Sequence, residues 1–151
     1  MKSNRFKLLR RMIVTLLILL GIQYELGMAA NLSPDLPTLP PFGFSLARIF
    51  GALWLAGSSA VAHGLLGSLL VIFAFMTLAL SLASGVRSLQ ILGSLGCLSM
   101  ILAATGGVLF VLSGFQADHF SLAMASNFVL AFTFYFLELY VLKPADNGRD
   151  D

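Results

Sequence analysis

The chain has 151 residues, of which 58% are hydrophobic and 11% charged, and its formal net charge is +2. A soluble domain carries about 25% charged residues, so this composition excludes a water-soluble globule and makes lipid the solvent for most of the chain. The single cysteine, Cys97, excludes an intramolecular disulfide and a cluster of cysteine metal ligands. We therefore expect residues 1–151 to form one transmembrane domain in contact with membrane lipids.

The first predicted span runs from about residue 12 to residue 30, after a basic N-terminal segment. That segment contains five basic residues: Lys2, Arg5, Lys7, Arg10 and Arg11. A basic segment, an apolar run and the small-residue stretch 27–30 are also typical of a cleavable signal peptide. Cleavage would leave three spans, and this alternative stays open at the level of the sequence. N-terminal sequencing of the purified protein distinguishes the two.

The segment between the first and second spans is predicted to have two parts. Four prolines within residues 31–43 remove backbone donors, which predicts an extended loop. Residues 44–57 are apolar but include Arg48 and Trp54, a combination typical of a helix that lies at the membrane surface. We therefore expect a short interfacial helix in this first outer loop.

Three further spans are predicted over residues 58–83, 89–112 and 119–142, separated by short turns. Short turns make consecutive spans antiparallel neighbours, which predicts an all-α, up-down-up-down four-helix membrane bundle. Helices approach closely in lipid through small residues on one face. The third span has such a face at three- and four-residue steps: Gly93, Gly96, Cys97, Met100, Ala103, Ala104 and Gly107.

The basic residues indicate the orientation of the spans, because cytoplasmic loops carry an excess of Lys and Arg. The N-terminal basic residues, Arg87, Lys143 and Arg149 fall on one side of a four-span topology, and Arg48 falls on the other. We therefore expect a multi-pass protein of the cell membrane with both termini in the cytoplasm. The positive charge then reflects topology, so nucleic acid is not an expected partner.

Ionisable residues within the spans are few, and each is costly in lipid, so each is a candidate for function. Glu25, His63 and His119 fall near the outer ends of their spans, and Glu138 falls near the inner end of the last span. We expect Glu138 to be a helix-end charge beside the cytoplasm. Glu25 is predicted to be either a proton carrier or an interfacial carboxylate that reaches water.

His63 and His119 are the two histidines of the chain, and a modest stagger of their helices would bring both to one depth. Each has a small residue four positions later, Gly67 or Ala123, which would give clearance for a flat cofactor. Axial histidines from facing helices of a bundle are a common way to hold haem iron. The pair therefore predicts a haem b site with His63 and His119 as the iron ligands. The alternative is that His63 is a hydrogen-bonded interfacial residue and that His119, beside Asp118, caps its helix.

The faces that continue from the two histidines are predicted to line this site. In the second span the face carries Gly67, Leu70, Ala74, Thr77 and Ser81, and in the fourth it carries Ala123, Ser126, Leu130 and Thr133. Aromatic residues of the fourth span would supply apolar walls: Phe120, Phe128, Phe132, Tyr135 and Phe136.

The segments AVAHGLLGSLLVIFAFMTLALSL in the second span and DHFSLAMASNFVLAFTFYFLEL in the fourth resemble one four-helix half of the heme A synthase family. The resemblance covers about residues 12–142, and it implies haem binding by histidines near the outer ends of these helices, which here are His63 and His119. That family has a Glu three residues before the second-helix histidine and an Arg just after it, where this chain has Ala60 and Gly64. Many members also have a cysteine pair in the first outer loop, which this chain lacks. These departures favour a haem-holding bundle over oxidation of a haem methyl group.

The sequence supports two functions. The first is a b-type haem-binding bundle for electron transfer or haem handling that faces the outer side. The second is a non-enzymatic membrane subunit or assembly factor of a larger complex, which the glycine-lined helices and the lack of a catalytic set favour. A half-length relative of the heme A synthase family would need a second copy, so a homo-oligomer or a larger membrane complex is expected. A small transporter is less favoured, because four spans without a broken helix give a substrate little to bind.

Overall fold

The computed structural model of the chain describes residues 2–32 and 37–147, with side chains over 4–32 and 37–142. The described part contains five helices: α1 (Lys2–Asn31), α2 (Leu46–Leu55), α3 (Ser58–Ala83), α4 (Arg87–Leu112) and α5 (Asp118–Asn147). Four of these helices are long and apolar enough to span a membrane, which confirms the predicted all-α fold with four spans. Part of the predicted proline-rich loop (33–36) and the side chains of Lys2, Lys143 and Arg149 lie outside the described residues.

The four long helices form an antiparallel ring in the order α1, α3, α4, α5. Turns at 84–86 and 113–117 join α3 to α4 and α4 to α5, and Gln23 near the end of α1 contacts His63 near the start of α3. The first residues of α1, the α3–α4 turn and the last residues of α5 therefore share one end, which we call the terminal end. The segment 32–57 and the α4–α5 turn share the opposite end, the loop end. Within this ring α1 lies opposite α4, and α3 lies opposite α5.

The first helix is longer than predicted, because it begins at Lys2 rather than near residue 12. Its buried side chains share one face along the whole helix: Phe6, Leu9, Ile13, Leu16 and Leu20. Phe6 and Leu9 pack into the core, and no Gly or Pro interrupts the basic segment. Helix formation therefore extends through the N-terminal residues, and α1 contributes a continuous face to the bundle.

The last helix ends later than predicted. α5 continues to Asn147, beyond the predicted end at Leu142, and it includes Pro144. A proline removes a single backbone donor, and the loss of that hydrogen bond does not end the helix here. The apolar part that could cross a membrane still ends at Leu142.

Most of the residues predicted to share one face of α4 are buried in the core, whereas Ala104 and Gly107 are half-buried. The buried set is Leu89, Gly93, Gly96, Cys97, Ser99, Met100, Ala103, Gly106 and Val111. An added Cβ at Gly106 would lie 3.0 Å from the backbone nitrogen of Met124 and 3.1 Å from the carbonyl oxygen of Phe120. The backbones of α4 and α5 therefore meet at Gly106, which leaves no room for a side chain. At Gly107, the predicted contact, a Cβ would meet only the Met124 sulfur atom.

The extended segment before α2 lies across the turn between α4 and α5. The Leu39 N–H donates to the Gly114 carbonyl oxygen (3.2 Å), and the Phe42 N–H donates to that of Leu112 (3.0 Å). The side-chain amide of Gln116 donates to the Leu39 carbonyl oxygen at 2.6 Å. Gly114 has a φ of +70°, and a Cβ there would collide with the Leu39 carbonyl group. These contacts fix the segment at the loop end.

The second helix is the short helix that the sequence predicted between residues 44 and 57. Ala52 and Ala56 are buried, and a Leu53 methyl carbon lies 3.0 Å from the position of an added Cβ at Gly64. The rest of this segment exposes Arg48 and a set of large apolar side chains: Phe44, Leu46, Phe50, Trp54 and Leu55. This distribution fits a helix at the membrane surface, and its position relative to lipid stays a prediction.

Candidate functional site

The two histidines lie at the same end of the bundle but on helices that lie opposite each other. His63 is near the start of α3 and His119 is near the start of α5. His119 is exposed, with its ring centre 4.2 Å from that of Phe120. The face predicted to line the site with His119 is exposed too: Ala123, Ser126, Leu130 and Thr133. α5 instead buries Ala131, Tyr135, Glu138 and Leu142. The structure therefore does not bring the two histidines together.

Gln23 of α1 engages both ring nitrogens of His63. The His63 Nδ1 lies 3.1 Å from the Gln23 carbonyl oxygen, and the His63 Nε2 lies 3.2 Å from the Gln23 side-chain nitrogen. A carbonyl oxygen only accepts and an amide nitrogen only donates, so these contacts fit a neutral ring with its hydrogen on Nδ1. The same amide nitrogen also donates to the His63 carbonyl oxygen at 3.1 Å. We call this arrangement, which joins α1 to α3, the Gln23–His63 clasp.

Glycines on both helices make room for the Gln23–His63 clasp. A Cβ at Gly27 would lie 2.8 Å from the His63 Cε1 atom, and a Cβ at Gly67 would lie 3.0 Å from the Gln23 side-chain nitrogen. Each polar side chain therefore packs over a glycine of the partner helix. The clearance at Gly67, predicted from the sequence to be space for a flat cofactor, is filled by Gln23.

A haem held between His63 and His119 does not fit this arrangement within one chain. The Nε2 lone pair of His63 already accepts a hydrogen bond, and His119 lies on the outward side of the opposite helix. Among the described residues, no group of three or more His, Cys, Asp or Glu side chains could hold a metal ion. Haem binding stays a prediction, and it would require the clasp to open.

Glu25, the predicted proton carrier, lies two residues beyond Gln23 in α1. Its side chain is exposed, on the side of the helix turned away from the clasp. Its role as a proton carrier or as an interfacial carboxylate stays a prediction.

Glu138 is not the helix-end surface charge that the sequence predicted. Its side chain is 0% exposed, because α5 turns Tyr135, Glu138 and Leu142 toward the core. The Glu138 Oε1 contacts the Ser81 Oγ across the bundle axis. The side chains of α3 and α5 are therefore in contact here, although the two helices lie opposite each other in the ring. Within the described side chains, no basic group pairs with this carboxyl group.

The Ser81 hydroxyl group lies between two acceptors. Its Oγ is 2.8 Å from the Thr77 carbonyl oxygen and also contacts the Glu138 Oε1. A hydroxyl group has one hydrogen, so Ser81 cannot donate to both. Both contacts are satisfied when a protonated Glu138 donates to Ser81 and Ser81 donates to Thr77. When the carboxyl group is ionised, Ser81 donates to Glu138 and its bond to Thr77 is lost.

Two more polar atoms of this region, the Glu138 Oε2 and the Tyr135 hydroxyl oxygen, have no hydrogen-bond partner among the described residues. Glycines of α4 make room for these side chains. A Cβ at Gly93 would lie 2.8 Å from the Ser81 Oγ, and a Cβ at Gly96 would lie 2.9 Å from the Tyr135 ring. Leaving a buried polar group unpaired costs about 1–3 kcal/mol. A role in packing alone does not explain why two such groups are present here. We call Ser81, Tyr135 and Glu138 the carboxyl cluster.

Comparisons with known protein families, with curated proteins and with solved structures found no match for this chain. In the carboxyl cluster, the buried Glu138 has one hydrogen-bond partner, the Ser81 hydroxyl group. Two oxygen atoms of the cluster, the Glu138 Oε2 and the Tyr135 hydroxyl oxygen, are unpaired among the described residues. A buried acid of this kind can bind and release a proton. The structure describes no comparable acid at the loop end, where the clasp is made of neutral groups.

Proposed function

We propose that this chain is a proton-handling membrane protein in which Glu138 takes up and releases a proton inside the bundle. The observation that carries this proposal is the contact between the buried Glu138 carboxyl group and Ser81, whose single hydrogen suits both of its neighbours only when Glu138 is protonated. Acids inside a membrane bundle are costly to keep and commonly belong to proton or ion pathways. Ser81 is the partner that would respond to each proton transfer.

A proton suits the carboxyl cluster better than a larger ligand does. Hard cations such as Ca²⁺ take about six to eight oxygen ligands, whereas the cluster offers the two carboxyl oxygen atoms of Glu138 and the hydroxyl groups of Ser81 and Tyr135. A proton needs one oxygen lone pair and no cavity. The objection to a transporter, that unbroken spans give a substrate little to bind, therefore does not apply to protons.

Labelling with a hydrophobic carbodiimide tests the proposal. The reagent adds to a protonated carboxyl group: the acid proton moves to a reagent nitrogen, the carboxyl oxygen bonds to the central carbon, and the acyl group then migrates to nitrogen without a leaving group. In lipid vesicles we expect one adduct on the peptide that contains Glu138. Its yield should fall as the pH rises, because the ionised carboxylate does not react. Mass spectrometry of peptides measures the yield.

Two substitutions serve as the test variant and its control. Glu138→Gln keeps the size of the side chain but cannot ionise, so the adduct should disappear. Glu25→Gln removes an exposed carboxyl group and should leave labelling at Glu138 unchanged. A folded protein that shows no adduct at Glu138 at low pH would refute the proposal.

Haem binding, for electron transfer or haem handling, remains a second proposal. It is supported by the common end of the bundle at which His63 and His119 lie and by the resemblance to the heme A synthase family. A haem b ligand would have to replace Gln23 as the partner of His63. An absorption spectrum with dithionite, taken on protein from haem-replete cells, tests this. A Soret band that His63→Ala and His119→Ala both abolish supports it, and the absence of a band ends it.

Partners and orientation are also proposals that rest on the sequence. The distribution of Lys and Arg supports a cell-membrane location with cytoplasmic termini. A homo-oligomer or a larger membrane complex is expected. If the chain is a non-enzymatic subunit or assembly factor of a larger complex, native purification should recover a stoichiometric partner, and a lone monomer or a homodimer would count against that role.

A further inference from the structure

A small crevice opens at the terminal end of the bundle, between α1 and α3. Its volume is about 50 Å³, and the residues that line it are Arg5, Phe6, Leu9, Leu80, Ala83 and Ser84. One water molecule needs at least about 10–15 Å³ of such space, so the crevice is large enough for a few. The Ser84 hydroxyl group gives them a polar partner on the wall of the crevice.

This crevice lies one helical turn from the carboxyl cluster. The Ser84 hydroxyl group donates to the Ser81 carbonyl oxygen at 2.6 Å, and the Ser81 hydroxyl group contacts Glu138. The Ser84 hydroxyl group is bonded to the backbone of Ser81 and also accepts from the Val86 N–H at 3.1 Å, so the two serines place the crevice close to the buried acid without forming a continuous chain of hydrogen bonds. Residues 81 and 84 are separated along the helix axis by about 4.5 Å.

In the other direction, most of the interior between the carboxyl cluster and the Gln23–His63 clasp is apolar, with Thr77 and Ser99 as its buried polar residues. His63 precedes Ser81 by 18 positions in α3, which is about 27 Å at a rise of about 1.5 Å per residue. Fully buried apolar side chains of α1, α3 and α5 fill this distance: Ile13, Leu16, Leu20, Leu70, Ala74 and Ala131. These side chains offer no donor or acceptor, and the Thr77 hydroxyl group donates to the Phe73 carbonyl oxygen of its own helix, so the apolar side chains separate the carboxyl cluster from the clasp.

We propose that Glu138 exchanges its proton with the terminal side of the membrane alone, through water that enters from the crevice and reaches the hydroxyl group of Ser81. This inference rests on the proposed function, since it assumes that Glu138 binds a proton. It adds to the proposed function the side of the membrane with which Glu138 exchanges its proton. In the arrangement described, the carboxyl group senses the pH on one side of the membrane and is insulated from the other.

Carbodiimide labelling with separately controlled pH on the two sides of the vesicle tests this inference. Cys97→Ala removes the native thiol, and Ser58→Cys then provides an exposed thiol at the loop end. A membrane-impermeant thiol reagent added outside reports which fraction of the molecules has the loop end outward. We expect the adduct yield at Glu138 to follow the pH on the terminal side and to be insensitive to the pH on the loop side.

Ala83, an exposed residue that lines the crevice, provides a matched pair of variants. After a rapid pH change on the terminal side, Ala83→Trp should obstruct the crevice and slow several-fold the change in the carboxyl C=O infrared band of Glu138, whereas Ala83→Ser should leave that rate unchanged. Equal rates in the two variants would rule out the crevice as the route. A yield that follows the loop-side pH would overturn one-sided exchange while leaving the proposed function intact, whereas the lack of any adduct at Glu138 would contradict the proposed function itself.

Discussion

Replacement of Gly93 by alanine tests the helix contact on which the carboxyl cluster depends. The added Cβ would lie 2.8 Å from both the Cβ and the Oγ of Ser81, and 3.2 Å from the Glu138 Oε1. The Ser81 Cβ is attached directly to the α3 backbone, so it cannot rotate away, and α3 has to move from α4. Overpacking costs about 1–3 kcal/mol, and alanine recovers at most about 1 kcal/mol as the better helix former. We expect Gly93→Ala to lower the free energy of unfolding by about 1–2 kcal/mol.

Unfolding by SDS in mixed micelles, followed by far-ultraviolet circular dichroism, measures this change. Gly21→Ala is the matched control, because no other atom lies within 4 Å of an added Cβ in that position. We expect it to be neutral or to stabilise by up to about 1 kcal/mol. Combining Gly93→Ala with Ser81→Gly removes the obstructing atoms, so the two substitutions should couple favourably in a double-mutant cycle. If Gly93→Ala proves as stable as Gly21→Ala, the close packing of α3 on α4 is refuted.

Three further predictions concern the loop end of the bundle. Gly27→Ala should weaken the contact of α1 with α3 by about 1–3 kcal/mol, because its Cβ would lie 2.8 Å from the His63 Cε1. SDS unfolding against the same Gly21→Ala control measures this loss, and an unchanged unfolding midpoint would contradict the prediction. Gly114→Ala should lower the free energy of unfolding by at least about 1–2 kcal/mol, because the φ of Gly114 is +70° and the Leu39 carbonyl group occupies the space of the added Cβ. Hydrogen exchange of the Leu39 amide should become faster, and unchanged exchange would be evidence against the contact. Trp54 is the single tryptophan and is 77% exposed, so its fluorescence reports the depth of α2. If α2 lies at the membrane surface, brominated lipids should quench this fluorescence most strongly when the bromine lies near the headgroup. Strongest quenching from the bilayer centre would exclude an interfacial α2.

The spans could be predicted from the sequence, whereas the rotation of α5 about its axis could not. An apolar run of about 20 residues identifies a span by its length and composition. In lipid, however, the solvent is as apolar as the core, so hydropathy does not distinguish the inward face of a helix from its outward face. The face that begins at His119 therefore looked as suitable as the face that carries Tyr135 and Glu138. Glu138 was the one available signal for this face, and its position near the inner end of the span favoured a helix-end charge beside the cytoplasm instead.

The inward face of α3 was predicted correctly, but the group that fills the space beside His63 was not. Leu70, Ala74, Thr77 and Ser81, which continue from His63, are all buried. Gln23 of α1 fills the space beside Gly67. In both α1 and α3, a polar residue is followed four positions later by a glycine, and each polar side chain packs over the glycine of the other helix. That reciprocal pattern is visible in the sequence only once α1 and α3 are known to be antiparallel neighbours. Neighbours in a ring joined by a long loop are not specified by loop length.

Leu39 and Phe42 hydrogen-bond to residues that are synthesised much later than they are. Their partners, Gly114 and Leu112, follow about 70 positions further along the chain. The hydrogen bonds of this early segment therefore cannot form until the end of α4 and the first residues of the turn after it have been synthesised. Because α2 is attached to this segment and packs on both α3 and α4, it settles only after most of the bundle exists. Closure of the loop end thus depends on α4, whereas the carboxyl cluster at the terminal end also requires Glu138 of α5.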